Sequence, residues 1–193
     1  MRKHPFAGRL IIVSLIVSLA VIGAAAPGRE LTDVTLMGTL GVDGPGPVAL
    51  TAVGEGEGGE ICRYTTQGPD LARTREALRE LGDTRLEVTH VAQLVLGPDV
   101  DVEEILTREL TNRKSGSDAT VWLVADESAE TLLTLAKDPC KRLKALEENG
   151  SIQAPTLLEA LSTLEREGEV SLPVLRRDGQ ELQVAGVEII KEG

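Results

Sequence analysis

The sequence predicts a mixed α/β (α+β) domain: a single mixed sheet with a βαβ core and flanking hairpins, preceded by one N-terminal transmembrane or signal helix. Three observations carry this. From Val88 to Asp126 the chain reads strand, helix, strand, and two apolar runs joined by a helix of that length predict parallel strands buried on both faces. Near the C-terminus two strand-like runs flank Asp178-Gly179, a hairpin signal. At the N-terminus a basic stretch precedes the uninterrupted apolar and small residues Leu10 to Ala26.

Residues 1–28 are read as the basic region plus the signal or anchor helix, and 29–193 as the exported domain. Leu10 to Ala26 is 17 residues, about 26 Å as a helix, the short limit for crossing a bilayer. Ala24-Ala25-Ala26 offers a cleavage pattern, but Pro27 hinders cutting. An uncleaved anchor is therefore expected, with a cleaved signal as the alternative. In both cases the positive residues stay inside and the body is exported. With no cysteine near this segment, a lipoprotein signal is excluded.

Asp33 to Val42 and Val48 to Val53 predict a strand pair around the turn 43–47. The Gly/Glu loop 54–60 leads to a third strand, Ile61 to Thr66. Asp70 opens a helix whose face is Leu71, Thr74, Ala77, Leu78 and Leu81, and Gly82 closes it. His90 to Leu96 is the first strand of the central unit and Gly97-Pro98 stops it. Val102, Ile105, Leu106 and Leu110 have helical spacing, and Thr120 to Ala125 is the second strand. Glu127-Ser128 caps a helix to about Lys137, and Asp138-Pro139 restarts a helix to Glu148, ended by Asn149-Gly150. A further helix from Ala154 carries Leu157, Leu158, Leu161 and Leu164 and closes at Gly168. Val170 to Arg176 and Leu182 to Ile190 form the last hairpin.

Aromatics make up 2% of the 193 residues, so the core is aliphatic and platforms for stacking bases are excluded. Net charge is −11, and the first nine residues hold three cations and no acid, which leaves −14 for the rest. Such a body is repelled by phosphate backbones and anionic lipid, so no nucleic-acid partner is expected.

No residue pattern declares a catalytic, cofactor or metal site. The two cysteines, Cys62 and Cys140, and two histidines, His4 and His90, make no zinc set. Outside the cytoplasm a Cys62–Cys140 disulfide is allowed; otherwise both are separate thiols. Gly54 to Gly59 fits G-x-G-x-x-G literally, yet a strand follows where the phosphate site needs a helix, and Glu55, Glu57 and Glu60 repel phosphate. A flexible acidic hairpin loop is expected, and a weak calcium site from those glutamates lacks the spaced ligands of a calcium loop. His90 reads as a packed, hydrogen-bonded core residue rather than a catalytic one. Ser115 to Asp118 lacks the strand–turn–helix elbow of a serine nucleophile and reads as a turn capping the next strand. Glu103-Glu104 and Glu147-Glu148 diverge by about 100° as helix neighbours and read as solvated faces.

The order of motifs then resembles a known family. Arg29-Glu30-Leu31-Thr32-Asp33 followed by Leu40-Gly41-Val42-Asp43, then His90 to Leu96, Leu110 with Arg113, Val121 to Ala125, Pro155-Thr156-Leu157, Pro173 and Gly186-Val187 resemble, in order and spacing, the N-terminal domain of the Ger(x)C family, the C subunits of spore germinant receptors. The chain departs from the family pattern in lacking an acylated cysteine after the signal and the long C-terminal domain. The resemblance implies a non-catalytic, membrane-anchored component of a germinant receptor, or a truncated relative, acting through protein–protein contacts. Integral membrane subunits would be its partners and the spore inner membrane its place. The alternative is an exported small-molecule-binding domain unrelated to germination, which needs a pocket of roughly 300 Å³ with convergent polar groups. A hydrolase would need His90 joined to a serine and a carboxylate.

Overall fold

The computed structural model describes residues 34–56, 58–81, 85–111, 115–150 and 152–193. The chain divides into Met1–Asp33 and Val34–Gly193, and only the second unit lies within the described residues. The expected anchor at 1–28, the Arg29–Asp33 motif, Gly82 and Arg113 therefore lie outside them. No helix among the described residues is long and apolar enough to cross a membrane.

One eight-stranded mixed sheet organises the domain. Its strands are β1 (Val34–Asp43), β2 (Val48–Glu55), β3 (Ile61–Gly68), β4 (Arg85–Glu87), β5 (Gln93–Leu96), β6 (Thr120–Val124), β7 (Glu169–Asp178) and β8 (Glu181–Lys191). Their order is β3-β2-β1-β5-β6-β7-β8, with the short β4 beside β1. The expected βαβ core is present: β5 and β6 are parallel, joined by α2 (Val102–Thr111). Both flanking hairpins, β1–β2 and β7–β8, are antiparallel. The sequence does not announce β4. Three residues with one buried side chain, Leu86, give no period, and β4 exists because the first residues of β1 offer it a parallel partner.

Strand alternation divides the apolar residues between two faces. On the larger face Leu40, Val42, Leu50, Leu94, Leu96, Val121 and Leu123 meet three helices: α1 (Leu71–Arg79), α2 and α5 (Leu157–Glu167). On the other, Val53, Val95, Trp122 and Val124 meet α3 (Ala129–Leu135) and α4 (Pro139–Glu148). Trp122 is fully buried, with its indole N–H donating to Thr120 Oγ1 at 3.1 Å.

The caps follow the sequence. Asp70, Ser128, Asp138 and Thr156 each accept a backbone N–H three residues on, and Thr156 and Glu159 form a capping box. Three helix faces differ from expectation. On α1 the buried set is Leu71, Thr74, Arg75 and Leu78, whereas Ala77 is exposed. On α2 Glu109 is buried and Leu110 only partly so. On α5 Ala160 is buried and Leu158 is 55% exposed. In each case tertiary packing selects a different stripe from the one that hydropathy marks.

The last hairpin turns through Gly179–Gln180, since Asp178 pairs with Glu181. Gly179 takes φ +63°, the left-handed conformation that glycine tolerates. β7 pairs with β6 only through Val174 and Leu175, and the Val121 N–H of β6 turns to the Pro155 carbonyl instead, so Glu169–Pro173 pair with β8 alone as a two-stranded ribbon.

Candidate functional site

His90 lies in a bend before β5 and is exposed, so the expected packed core histidine is not what forms. The strand starts three residues later, at Gln93, whose side chain accepts from Thr39 Oγ1 at 2.9 Å inside the core. The two cysteines are free thiols. Arg63 and Cys140 both meet the face covered by α3 and α4: Arg63 donates to the Leu133 and Ala136 carbonyls, and Thr39 donates to Cys140 Sγ. Cys62, one residue before Arg63 on β3, points to the opposite face, so the sheet itself separates the thiols. Burial pushes the Cys140 thiol above its ordinary value, disfavouring the thiolate.

The acidic loop 54–60 closes the β2–β3 hairpin, with Glu55 paired to Ile61, so a strand follows it as expected. Glu103 accepts the backbone N–H of Gly193, and Glu104 pairs with Arg108 at 2.6 Å. Glu147 is half-buried and accepts from Thr120 Oγ1 at 2.5 Å, which corrects its reading as solvated. Among the described residues no group of three or more His, Cys, Asp or Glu side chains is placed to hold a metal.

Ser115 is also corrected. It is buried, and its hydroxyl donates to Glu109 rather than capping a strand. Glu109 in turn takes Arg75 Nη2 on both carboxylate oxygens, at 2.6 and 2.5 Å, and Arg75 Nη1 donates to the Val88 carbonyl at 3.0 Å. Arg75 and Glu109 are 3% and 1% exposed. Burial lowers the Arg75 guanidinium from its ordinary value, and the Glu109 charge opposes that. The sequence signal was available: Arg75 lies between Leu71 and Leu78 on one apolar helix face, and Glu109 follows Ile105 and Leu106 on another. With every carboxylate oxygen engaged and solvent excluded, the trio clamps α1 to α2 and has no free acid or base to offer.

The carboxyl ends of the parallel strands are the usual ligand position in α/β sheets. Here Asp43, Glu127 and Arg177 are taken up in structural hydrogen bonds. Asp43, ending β1, accepts the Ala129 and Glu130 N–H groups at 2.7 and 2.8 Å. Gly97 is required because a Cβ there would collide with the Asp43 carboxylate. Arg177 holds Glu127 through two nitrogens at 3.2 and 3.0 Å.

A concavity lies elsewhere, between α2 and the end of β8. This groove has a volume of about 740 Å³. One wall is Val100, Val102 and the acids Asp101, Glu103 and Glu104; the other is Ile189, Ile190 and Lys191. Beside it Val187 and Ile189 are 57% and 56% exposed on the outer face of the ribbon. These features define a three-layer α/β/α domain whose accessible chemistry is a strand edge and an acid-rimmed apolar groove.

No protein-family model matches the sequence, and no curated protein does. Among solved structures the chain is similar to one described as the crystal structure of the GerBC protein, with 11% identity and a TM-score of 0.43. The likeness covers 80% of this chain and 48% of that one, so the chain spans about half the length of the structure it matches. Likeness at this score and identity assigns neither family nor role.

Proposed function

We propose that the chain is a non-catalytic component of a spore germinant receptor that acts through protein–protein contacts. The observation that carries this reading is the ordered set of Ger(x)C-like motifs on one domain. Leu40–Asp43 ends β1, His90–Leu96 runs into β5, Val121–Ala125 runs through β6, and Thr156 caps α5. The reading takes residues 10–26 as the membrane anchor, the spore inner membrane as the site, and integral membrane subunits as partners. The exposed ribbon face supports a role in binding protein.

The test is germination of spores from a deletion strain, followed by release of core solutes after nutrient addition. A nutrient-specific delay with normal response to a non-nutrient trigger is the expected result. Unchanged germination under every nutrient would overturn the reading. The groove's volume favours the exported small-molecule binder as second reading, which predicts that a ligand raises the melting temperature of the full chain.

A further inference from the structure

The β7–β8 ribbon carries an open hydrogen-bonding edge. Pro173 has no N–H and sits opposite Val187, so this pair cannot be the kind that exchanges two backbone hydrogen bonds. The Val187 N–H and C=O therefore point away from β7. Antiparallel pairs alternate, so Ile189 and Lys191 point outward too. The backbone bond from Glu192 N–H to the Gly168 carbonyl, 2.9 Å, fixes the same phase at the ribbon's end. At the other end of β8 the Leu182 carbonyl is met by Arg142 Nε at 3.1 Å. No described strand pairs with the outer edge of β8. Residues 187–191 thus present three unpaired backbone positions, and Ile189 and Lys191 also line the groove against α2.

Resting on the protein-binding reading above, we propose that this edge accepts an extended segment of a partner protein as an added strand, apolar on one face and basic on the other. The two faces set that chemistry. Side chains of an added strand that share the face of Val187 and Ile189 meet apolar surface. Those on the other face meet Glu188, which pairs with Leu172 on the core-facing side, and the acids Asp101, Glu103 and Glu104 across the groove. The groove itself sets three acids, Asp101, Glu103 and Glu104, against Arg108 and Lys191, and Arg108 is engaged by Glu104. Backbone bonding supplies affinity and the alternating faces supply selectivity.

The probe is a fluorescent synthetic peptide alternating lysine and valine, titrated against the full chain in mild detergent and read by anisotropy. The expected result is binding by this peptide and none by a glutamate–valine counterpart. N-methylation of alternate amides should weaken it about tenfold, because the edge-facing N–H donors are lost. Ile189→Pro removes only an outward N–H, leaves the ladder to β7 intact and should weaken binding similarly; Ile189→Thr, which keeps the N–H, should weaken it less. Equal binding of the N-methylated peptide means electrostatic adhesion and overturns the proposal. So does the absence of binding, and so does concentration-dependent self-association abolished by Ile189→Pro, which would make a second copy the occupant. In spores, a normal Ile189→Pro strain beside a delayed deletion strain sinks this inference and leaves the receptor reading standing. A normal deletion strain sinks the receptor reading itself.

Discussion

The two ends of the sheet are both antiparallel edge strands, and the faces of those strands are treated oppositely. β3, at one end, is the more polar: Arg63, Thr65, Thr66 and Gln67 in eight residues. It is nevertheless covered, by Arg63 reaching the carbonyls of Leu133 and Ala136 on one face and by α1 and Tyr64 on the other. β8, at the other end, is the more apolar, with Leu182, Val184, Val187, Ile189 and Ile190, yet its second half is open to solvent. Edge strands are ordinarily blunted with charge or cover, and hydrophobic burial alone would reverse this assignment. The cover sits where local polar anchors hold it, and the apolar edge is left for something else.

The largest expected effect breaks the covered end. Arg75→Met leaves the Glu109 charge buried and should destabilise by about 3–5 kcal/mol in urea unfolding, whereas Arg75→Met with Glu109→Leu should recover most of that. Recovery of less than half would show that the clamp itself, and not the stranded charge, holds α1 on β3. Next, Arg63→Ala removes two bonds to the end of α3 and should cost about 1–3 kcal/mol. A smaller loss would mean that packing alone covers β3.

The pH dependence of Asp43 is smaller again and serves as a control at neither edge. Burial raises its carboxyl above the ordinary 3.8, outweighing the Glu130 and Ala129 N–H bonds that lower it. The folded protein therefore holds this proton more tightly than the unfolded chain does. The contribution is complete below that ordinary value and is lost as pH rises through the folded one. The stability of wild type minus that of Asp43→Asn should accordingly fall as pH rises from below 3.8 through the raised folded value. A flat difference would contradict this. The smallest effect belongs to the open end: Val187→Ser with Ile189→Ser should change stability by less than about 0.5 kcal/mol. A large loss would show that the ribbon's outer face already belongs to the core.

Much of this was legible in the sequence for local reasons. Caps at Asp70 and Ser128, stops at Pro98 and Gly168, and the valine-rich runs of β5 and β6 are decided by residues within a few positions of one another, whereas the last helix, expected from Ala154, starts only at its Thr156 cap. The Asp-Gly hairpin was marked in the same way, displaced by one residue in its turn. His90, Ser115 and the α1 face were misread because their environment is set by residues distant in the chain. Arg75 meets a carboxylate 34 positions away, and no local period encodes that. The separation of Cys62 from Cys140 likewise depends on which side of β2 each element reaches.

What the sequence determined by itself is the list of elements other than β4, their order and the aliphatic core, because capping, turn chemistry and hydrophobic period act over short range. Tertiary structure alone decided the pairing of β1 with β5, the placing of β4, the buried Arg75–Glu109–Ser115 trio and the choice of which edge strand has its faces covered. Each depends on long-range partners whose gain in burial and hydrogen bonding exists only once the sheet is assembled.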